Sequence, residues 1–451
     1  MQHVATACHS HSLTAVMTVL VSADTVTIDL WKLPNDDAST DRKARPMTRT
    51  RKARATLLAA SGLTVLALTL TACGAPSSDT KDASAGSVPT KPSSPVTLNI
   101  LDVAGNLQLT KGMIENFVKA NPDVVKKVNY TSAPAPDMVG KLKAQQQGGG
   151  STISLVLSGT DGLSAGIKSD VLEQLLPAFD DRFPGLEDNY QAPAAAMQKL
   201  SNGYGVEVVY YPSGPLLEYN PAKVTDPPKT PEDLLAWAKA HPGKFQYANP
   251  ANSGPGRTWL MGLPYLLKDS DPKDPDKGWD KTWSFLQDLN KYAANYPSGT
   301  TETMKNLGDG TVDMVMSTTG WDINPRVLGT VPNTMKIAAF DGMHWVSDAQ
   351  YALVPKGLDA DVIAADLALV AWMLKPDQQA IAYDDGYFYP GPAVKDMTLS
   401  MAPEKSQQVI AQYGRLEYDD WISKFPTETS LPADQQVAAF DKWNRLVGST
   451  H

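Results

Sequence analysis

The chain has 451 residues, with 40 basic and 49 acidic side chains and a net charge of −9. That balance disfavours nucleic acid, whose phosphates call for basic patches, and it suits the attraction of cations. Only Cys8 and Cys73 carry thiols, and Cys8 lies in a segment read below as removed. The folded part therefore has neither a disulfide nor a cysteine-based metal site.

The first feature in chain order is an export address. Met47 opens Met-Thr-Arg-Thr-Arg-Lys-Ala-Arg, an apolar run covers residues 55–70, and Leu70-Thr71-Ala72-Cys73-Gly74 follows. A basic head, an apolar run and small residues at the cut site make a secretory signal over residues 47–72. The run is about 16 residues, short of the ~20 that a membrane span needs. Leu-Thr-Ala-Cys resembles a lipobox, which implies that Cys73 receives a lipid (palmitate) and becomes the mature N-terminus. Residues 1–46 place a second apolar stretch, 13–21, ahead of an intact signal. They are read as a mis-called extension, with Met47 the true start. Residues 73–95 are rich in Ser, Ala, Pro, Lys and Asp. They cannot bury enough apolar surface to fold and are expected to be a flexible tether.

Order is expected from Val96. Val96, Leu98 and Ile100 alternate, and Leu101 and Val103 extend the run, as in a strand. Ala104-Gly105-Asn106 is a loop. Met113, Ile114, Phe117 and Val118 then share one face of a helix that stops at Asn121-Pro122. Val128-Asn129-Tyr130 is a short strand, residues 138–147 form a helix ending in three glycines, and residues 151–157 form a buried strand. Strands alternating with helices argue for a parallel sheet in an α/β lobe. Residues 206–211 read as another strand. Pro212, Gly214 and Pro215 then punctuate the chain before residues 216–221, marking a crossing between lobes.

Thr230-Pro231-Glu232-Asp233 opens a helix, with Thr230 as its cap. Trp279, Trp283, Leu286, Leu289 and Ala293 recur at helical spacing and are assigned to the core. Residues 312–316 and 349–354 are strands. Residues 361–374 are a strongly apolar helix, and residues 433–446 a polar-faced one.

Five segments, in order, resemble the extracellular solute-binding proteins of ABC importers. These are Phe117 to Val124 (Phe-x-Lys-x-Asn-Pro-Asp-Val), Leu142-Lys143-Ala144-Gln145 before a Gly-rich turn, Tyr219-Asn220-Pro221, Leu374-Lys375-Pro376-Asp377-Gln378-Gln379, and Tyr387-Phe388-Tyr389-Pro390-Gly391-Pro392. The resemblance is to the branch that includes thiamine, polyamine and ferric-ion binders. It implies an α/β fold of type II periplasmic-binding-protein architecture. Each of its two lobes would be a mostly parallel sheet flanked by helices, with hinge strands between them and ligand in the cleft. The expected boundaries are 96–212 plus 347–392 for the first lobe and 213–346 plus 393–451 for the second. The implied partners are a small-molecule ligand, ABC permease subunits and, through the lipid, the outer face of the cell membrane. A monomer without cofactor is expected.

Ligands of open α/β sheets sit beyond the carboxyl ends of strands. That rule selects the loops at 104–106 and 158–161, then 252–257 and 317–322, and the hinge-proximal stretches 344–348 and 387–389. The candidate ligand-binding residues are Asn106, Ser158, Thr160, Asp161, Gly256, Arg257, Thr319, Trp321, Asp322, Trp345, Asp348 and Tyr389. Aromatic faces with nearby carboxylates suit a cationic organic solute, thiamine-like or polyamine. The helix start after Ser253, with Arg257 beside it, also suits a phosphate or carboxylate. Both features together fit a zwitterion or a phosphorylated cation.

Other chemistries are also encoded. Gly162-Leu163-Ser164-Ala165-Gly166 matches the nucleophile elbow of serine hydrolases, with Asp322 and His344 in triad order. Tyr210, Tyr211, Tyr387 and Tyr389 could hold ferric ion. The acidic loop Asp269 to Asp276 lacks the spacing of a calcium loop. A surface adhesion or signalling module on the same fold is a further alternative.

Overall fold

The computed structural model describes residues 85–103 and 105–450. The extension 1–46, the signal, Cys73 and the tether up to residue 84 lie outside the described residues, as does Ala104 of the first cleft loop. No described helix is long and apolar enough to cross a membrane.

Ten strands form among the described residues: β1 (Val96–Asp102), β2 (Val125–Ser132), β3 (Leu155–Gly159), β4 (Val206–Gly214), β5 (Leu216–Tyr219), β6 (Phe245–Gln246), β7 (Met314–Ser317), β8 (Lys336–Ala338), β9 (Trp345–Leu353) and β10 (Thr427–Glu428). The first sheet runs β10-β9-β3-β1-β2, with β4 also paired to β9. β1 is parallel to β2 and β3, while β9 is antiparallel to both β3 and β4. The second sheet has the order β6-β7-β5-β8.

Helices on the faces of the first sheet explain why its central strands are apolar on both sides. Leu98, Ile100, Leu155, Val156 and Leu157 share one core with Met113 and Phe117 of the helix Leu107–Ala120. Ile363, Leu367 and Val370 of the helix Ala360–Met373 join the same core. A second core gathers Trp259, Trp279, Trp283, Leu286, Phe340 and Trp443 around the second sheet, so the tryptophan stripe is interior as expected.

The second sheet departs from the mostly parallel expectation. β6 and β7 are parallel, but β5 runs antiparallel to both β7 and β8. The reason is continuity. β4 passes through Pro215 directly into β5, so the incoming hinge strand enters the second sheet with its direction already set. β9 links the halves in the other direction. Its Trp345 and Val346 pack in the second core, and its residues from Ala349 onward pack in the first.

Three local expectations shift. β3 starts at Leu155 rather than 151, because Gln145 Oε1 accepts the N–H groups of Thr152 and Ile153 and removes them from the ladder. β9 starts at Trp345 rather than 349, because pairing with β10 and β4 extends it. The expected tether ends earlier. Val88 is buried in the first core, and Arg182 donates to the carbonyls of Val88 and Pro89 at 3.1 and 3.0 Å. One buried valine and two charge-assisted hydrogen bonds suffice to hold this short stretch down.

The helix Pro231–Ala240 has the reciprocal cap its sequence calls for. Asp233 N donates to Thr230 Oγ1 and Thr230 N donates to Asp233 Oδ2, both at 3.1 Å. Thr230→Ala removes one of these bonds and is expected to lower unfolding free energy by about 1 kcal/mol in urea titration, with an unchanged m-value.

Candidate functional site

The two cores meet over the hinge strands, and strand register builds the site there. β4–β9 pairing sets Tyr211 opposite Asp348, and β3–β9 pairing sets Gly159 opposite Gln350. Residues two apart on a strand share a face, so Asp348 and Gln350 point the same way. β3 ends at Gly159, and the helix Thr160–Lys168 starts at once, carrying Thr160 and Asp161. From the second lobe comes the helix Gly254–Leu266, capped by Ser253. A Cβ at Gly256 would collide with the carbonyl oxygen of Ala248. Glycine there lets the helix start press against residues 248–250 and sets the position of Arg257.

Asp348 is the meeting point. Its Oδ1 accepts from Thr160 Oγ1 at 3.1 Å and from its neighbour's Ala349 N at 3.0 Å. Its Oδ2 accepts from Tyr211 OH at 3.0 Å and from Arg257 Nη2. Arg257 Nη1 lies 3.4 Å from Asp161 Oδ2 as an ion pair. The Arg257 side chain is 3% exposed and that of Asp348 0%. Burial alone would lower the Arg257 pKa, but Asp348 and then Asp161 outweigh it and hold the guanidinium charged. Burial first and Asp348 second push the Tyr211 phenol well up, so it remains a donor.

Not every polar atom in this junction is satisfied. Asp161 Oδ1 and the Nε and Nη1 of Arg257 are buried without a hydrogen-bond partner, as is Thr318 Oγ1 on the second-lobe side; Ser158 Oγ is also unpartnered, but it lies on the other face of β3 against Gly162 and Met138 and takes no part in the junction. A buried polar group left unpaired costs about 1–3 kcal/mol. Such groups gathered between two halves are suited to a polar ligand.

The remaining candidates divide. Asn106 is buried, with its Nδ2 3.4 Å from Gln350 Oε1 and its Oδ1 accepting from Thr110 Oγ1 at 2.8 Å, so it belongs to the junction. Thr319 Oγ1 accepts from Ser213 N at 3.2 Å and is tied to the hinge. Trp321 meets Tyr387 with ring centroids 5.3 Å apart, and a Cβ at Gly320 would collide with the backbone of residues 386–389, so this loop closes on the opposite half. Tyr389 lies between Tyr383 and Tyr418, 6.2 Å from each. Further along the same junction the helix Thr160–Lys168 packs on the helix Ala433–Leu446.

Trp345 and Asp322 are placed elsewhere. Trp345 is fully buried in the second core, its Nε1 donating to Trp421 O at 3.1 Å. The hinge-proximal stretch 344–348 is expected beside the ligand, but Trp345 lies on β9, which runs through it into the second core. Asp322 is the centre of a buried network within the second lobe. Its Oδ1 accepts from Tyr418 OH, and its Oδ2 accepts from Arg415 Nε at 2.6 Å and Arg326 Nη2 at 3.4 Å. The backbone anion cradle is also corrected. Gly256 N donates to Ser253 Oγ at 3.2 Å and Pro255 has no N–H, so two positions of the first turn are lost to a backbone anion cradle, while Gly254 N–H and the Arg257 side chain remain at the helix start.

The hydrolase arrangement does not assemble. Ser164 lies inside the helix Thr160–Lys168 rather than on a strand-to-helix turn. Asp322 is committed as described, and His344 Nδ1 is 3.2 Å from Glu428 Oε1. Tyr210 and Tyr211 are adjacent on β4 and point to opposite faces: Tyr210 OH meets Ser347 Oγ at 3.1 Å while Tyr211 meets Asp348. Their hydroxyls point apart in this structure. In the acidic loop, Asp269, Asp271 and Asp274 accept from backbone N–H groups. Among the described residues no group of three or more His, Cys, Asp or Glu is placed to hold a metal.

Sequence reasoning missed Gln350 and left Tyr211 outside the binding set. A polar residue two positions after Asp348 in an otherwise apolar strand was the available signal. Two surface hollows, of about 260 and 550 Å³, lie on the first lobe around Phe183 and Leu186 and include none of these residues.

Residues 112–411 match the family described as bacterial extracellular solute-binding proteins. Comparison with curated protein sequences gives no match. Similar solved structures include the ferric binding protein from Campylobacter jejuni, 15% identical, covering 78% of this chain and 98% of its own with a TM-score of 0.56. The spermidine/putrescine ABC transporter substrate-binding protein PotD from Streptococcus pneumoniae is 14% identical, with coverages of 78% and 98% and a TM-score of 0.53. The periplasmic binding protein AfuA from Actinobacillus pleuropneumoniae, solved with exogenous fructose-6-phosphate, is 14% identical, with coverages of 78% and 98% and a TM-score of 0.55. At these identities the likeness establishes the fold, that of type II periplasmic binding proteins.

Two outcomes follow from the buried charges. Asp348→Ala strands Arg257 beside Asp161 alone and is expected to cost about 3–5 kcal/mol in urea titration. Glu218, buried beside Asp322, is raised from 4.5 to about 8, by burial first and by Asp322 second. A carboxyl raised in the fold keeps its proton where the unfolded chain has lost it. Its contribution is full below pH 4.5 and is lost as pH rises through about 8. Glu218→Gln is therefore expected to shrink the fall in stability between pH 5 and pH 9 by on the order of 4 kcal/mol, measured by denaturation at both pH values.

Proposed function

We propose, since the chain belongs to the bacterial extracellular solute-binding protein family, that it captures a cationic organic solute between its lobes and delivers it to an ABC permease. It is an extracytoplasmic substrate-binding protein of the ABC transporter kind, and its family and fold are those of transport proteins rather than enzymes. Its partners are a small-molecule ligand and the permease. The finer reading has it anchored through a lipid on Cys73 and acting as a monomer on the outer face of the cell membrane.

The observation that carries the cation reading is the charge count of the junction. Asp161 and Asp348 supply two carboxylates against one guanidinium, and Asp161 Oδ1 has no hydrogen-bond partner. Buried sites with an uncompensated negative charge are costly until a cation enters. Trp321, Tyr387 and Tyr389 line the adjoining loops and offer ring faces to a flat or alkylated cation. Capture proceeds by hinge bending. The ligand docks on one lobe, the other closes by rotation about β4 and β9, and the closed form docks on the permease. Binding energy is expressed as that population shift.

Calorimetry on the exported domain tests the reading. Thiamine or spermidine is expected to release heat and to compact the domain in small-angle scattering. Heat from maltose with none from either cation overturns it.

A further inference from the structure

We infer that the ligand carries an anionic group as well as a cationic one, and that Arg257 is the residue that selects for it. The inference rests on the cationic reading above and deepens it. The guanidinium of Arg257 is buried, 3% exposed, and spends only one N–H group on a hydrogen bond, from Nη2 to Asp348. Nη1 pairs with Asp161 by charge but makes no hydrogen bond, and Nε has no partner at all. A guanidinium is a planar fork that recognises carboxylate or phosphate through two parallel N–H groups. A buried fork with donors to spare is incomplete without an acceptor.

The surroundings leave that role to the ligand. Asp348 already accepts from Thr160, Tyr211, its own neighbour and Arg257, so it has little left for a second fork contact. Gly254, the first residue of the helix that carries Arg257, sits beside Tyr211 OH, Asp348 Oδ2 and Arg257 Nη2. The positive end of the helix macrodipole therefore points at the same spot. Facing these donors is an acceptor of the opposite preference, Asp161 Oδ1, also without a partner. One junction thus offers a spare carboxylate oxygen and a spare guanidinium edge. A molecule with an ammonium at one end and a carboxylate or phosphate at the other fills both. A pure polycation fills the first and leaves the second buried and unpaired.

The test uses three probes of matched length, 1,4-diaminobutane, 4-aminobutanoate and butanedioate, titrated by calorimetry into the exported domain. The aminocarboxylate is expected to bind at least tenfold more tightly than either symmetric probe. Arg257→Lys keeps the charge that neutralises the two aspartates but lacks the fork. It is expected to bring that margin within twofold while its thermal unfolding stays cooperative. A diamine that binds as well as or better than the aminocarboxylate overturns the inference and leaves the cation reading standing. Tightest binding by the dicarboxylate overturns both, as does an absence of heat from all three. An undiminished margin in Arg257→Lys removes Arg257 from the role.

Discussion

One carboxylate holds the two halves of this molecule in register. Asp348 lies on the strand shared by both halves and accepts from three directions: Thr160 of the first lobe, Tyr211 of the partner hinge strand and Arg257 of the second lobe. Each donor is itself fixed by a neighbouring constraint. Thr160 begins a helix directly at the end of β3, Tyr211 is placed by ladder register, and Arg257 is placed by a glycine that lets its helix start press against the preceding turn. The charge is affordable in a dry site only because every direction of approach carries a donor.

A second carboxylate, Asp322, offers an instructive contrast. It too is fully buried and it too gathers donors, from Arg415, Arg326 and Tyr418. All of them belong to the second lobe. The network's task is to pin the C-terminal segment 404–424 to the loop that ends β7. The Asp348 network instead joins residues of both halves across the hinge strands, and it includes the unpartnered Asp161 Oδ1 and Arg257 Nε and Nη1.

The protein's acidity also takes on a location in the fold. The excess of acidic residues is a bulk property that raises the local concentration of cations near the surface. At the junction the same sign recurs as two aspartates to one arginine. Desolvated charges act over a few ångströms and through aligned hydrogen bonds, so the orientation of one guanidinium weighs more than the net charge of the domain.

Much of the architecture could be read from local pattern. Helical periodicity located Leu107–Ala120 and Ala433–Leu446, alternation located β1, and the Thr230 cap was evident from residue types alone. These depend on neighbours a few residues apart. The ends of β3 and β9 were not evident, because the pairing of distant strands decides them, and the placement of Trp345 beside the ligand followed from that. Several of the candidate residues meet at the hinge strands, yet their roles could not be sorted from residue order. Thr160 and Asp348 are 188 residues apart and Arg257 and Asp348 are 91 apart. No local rule says which of two aspartates, 322 or 348, will meet donors from both halves. The sequence by itself determined an α/β receptor of two lobes with a short list of polar loops. Only tertiary structure decided which loops converge and which donors remain unspent, because hydrogen-bond satisfaction depends on every atom within reach and not on the order of residues along the chain.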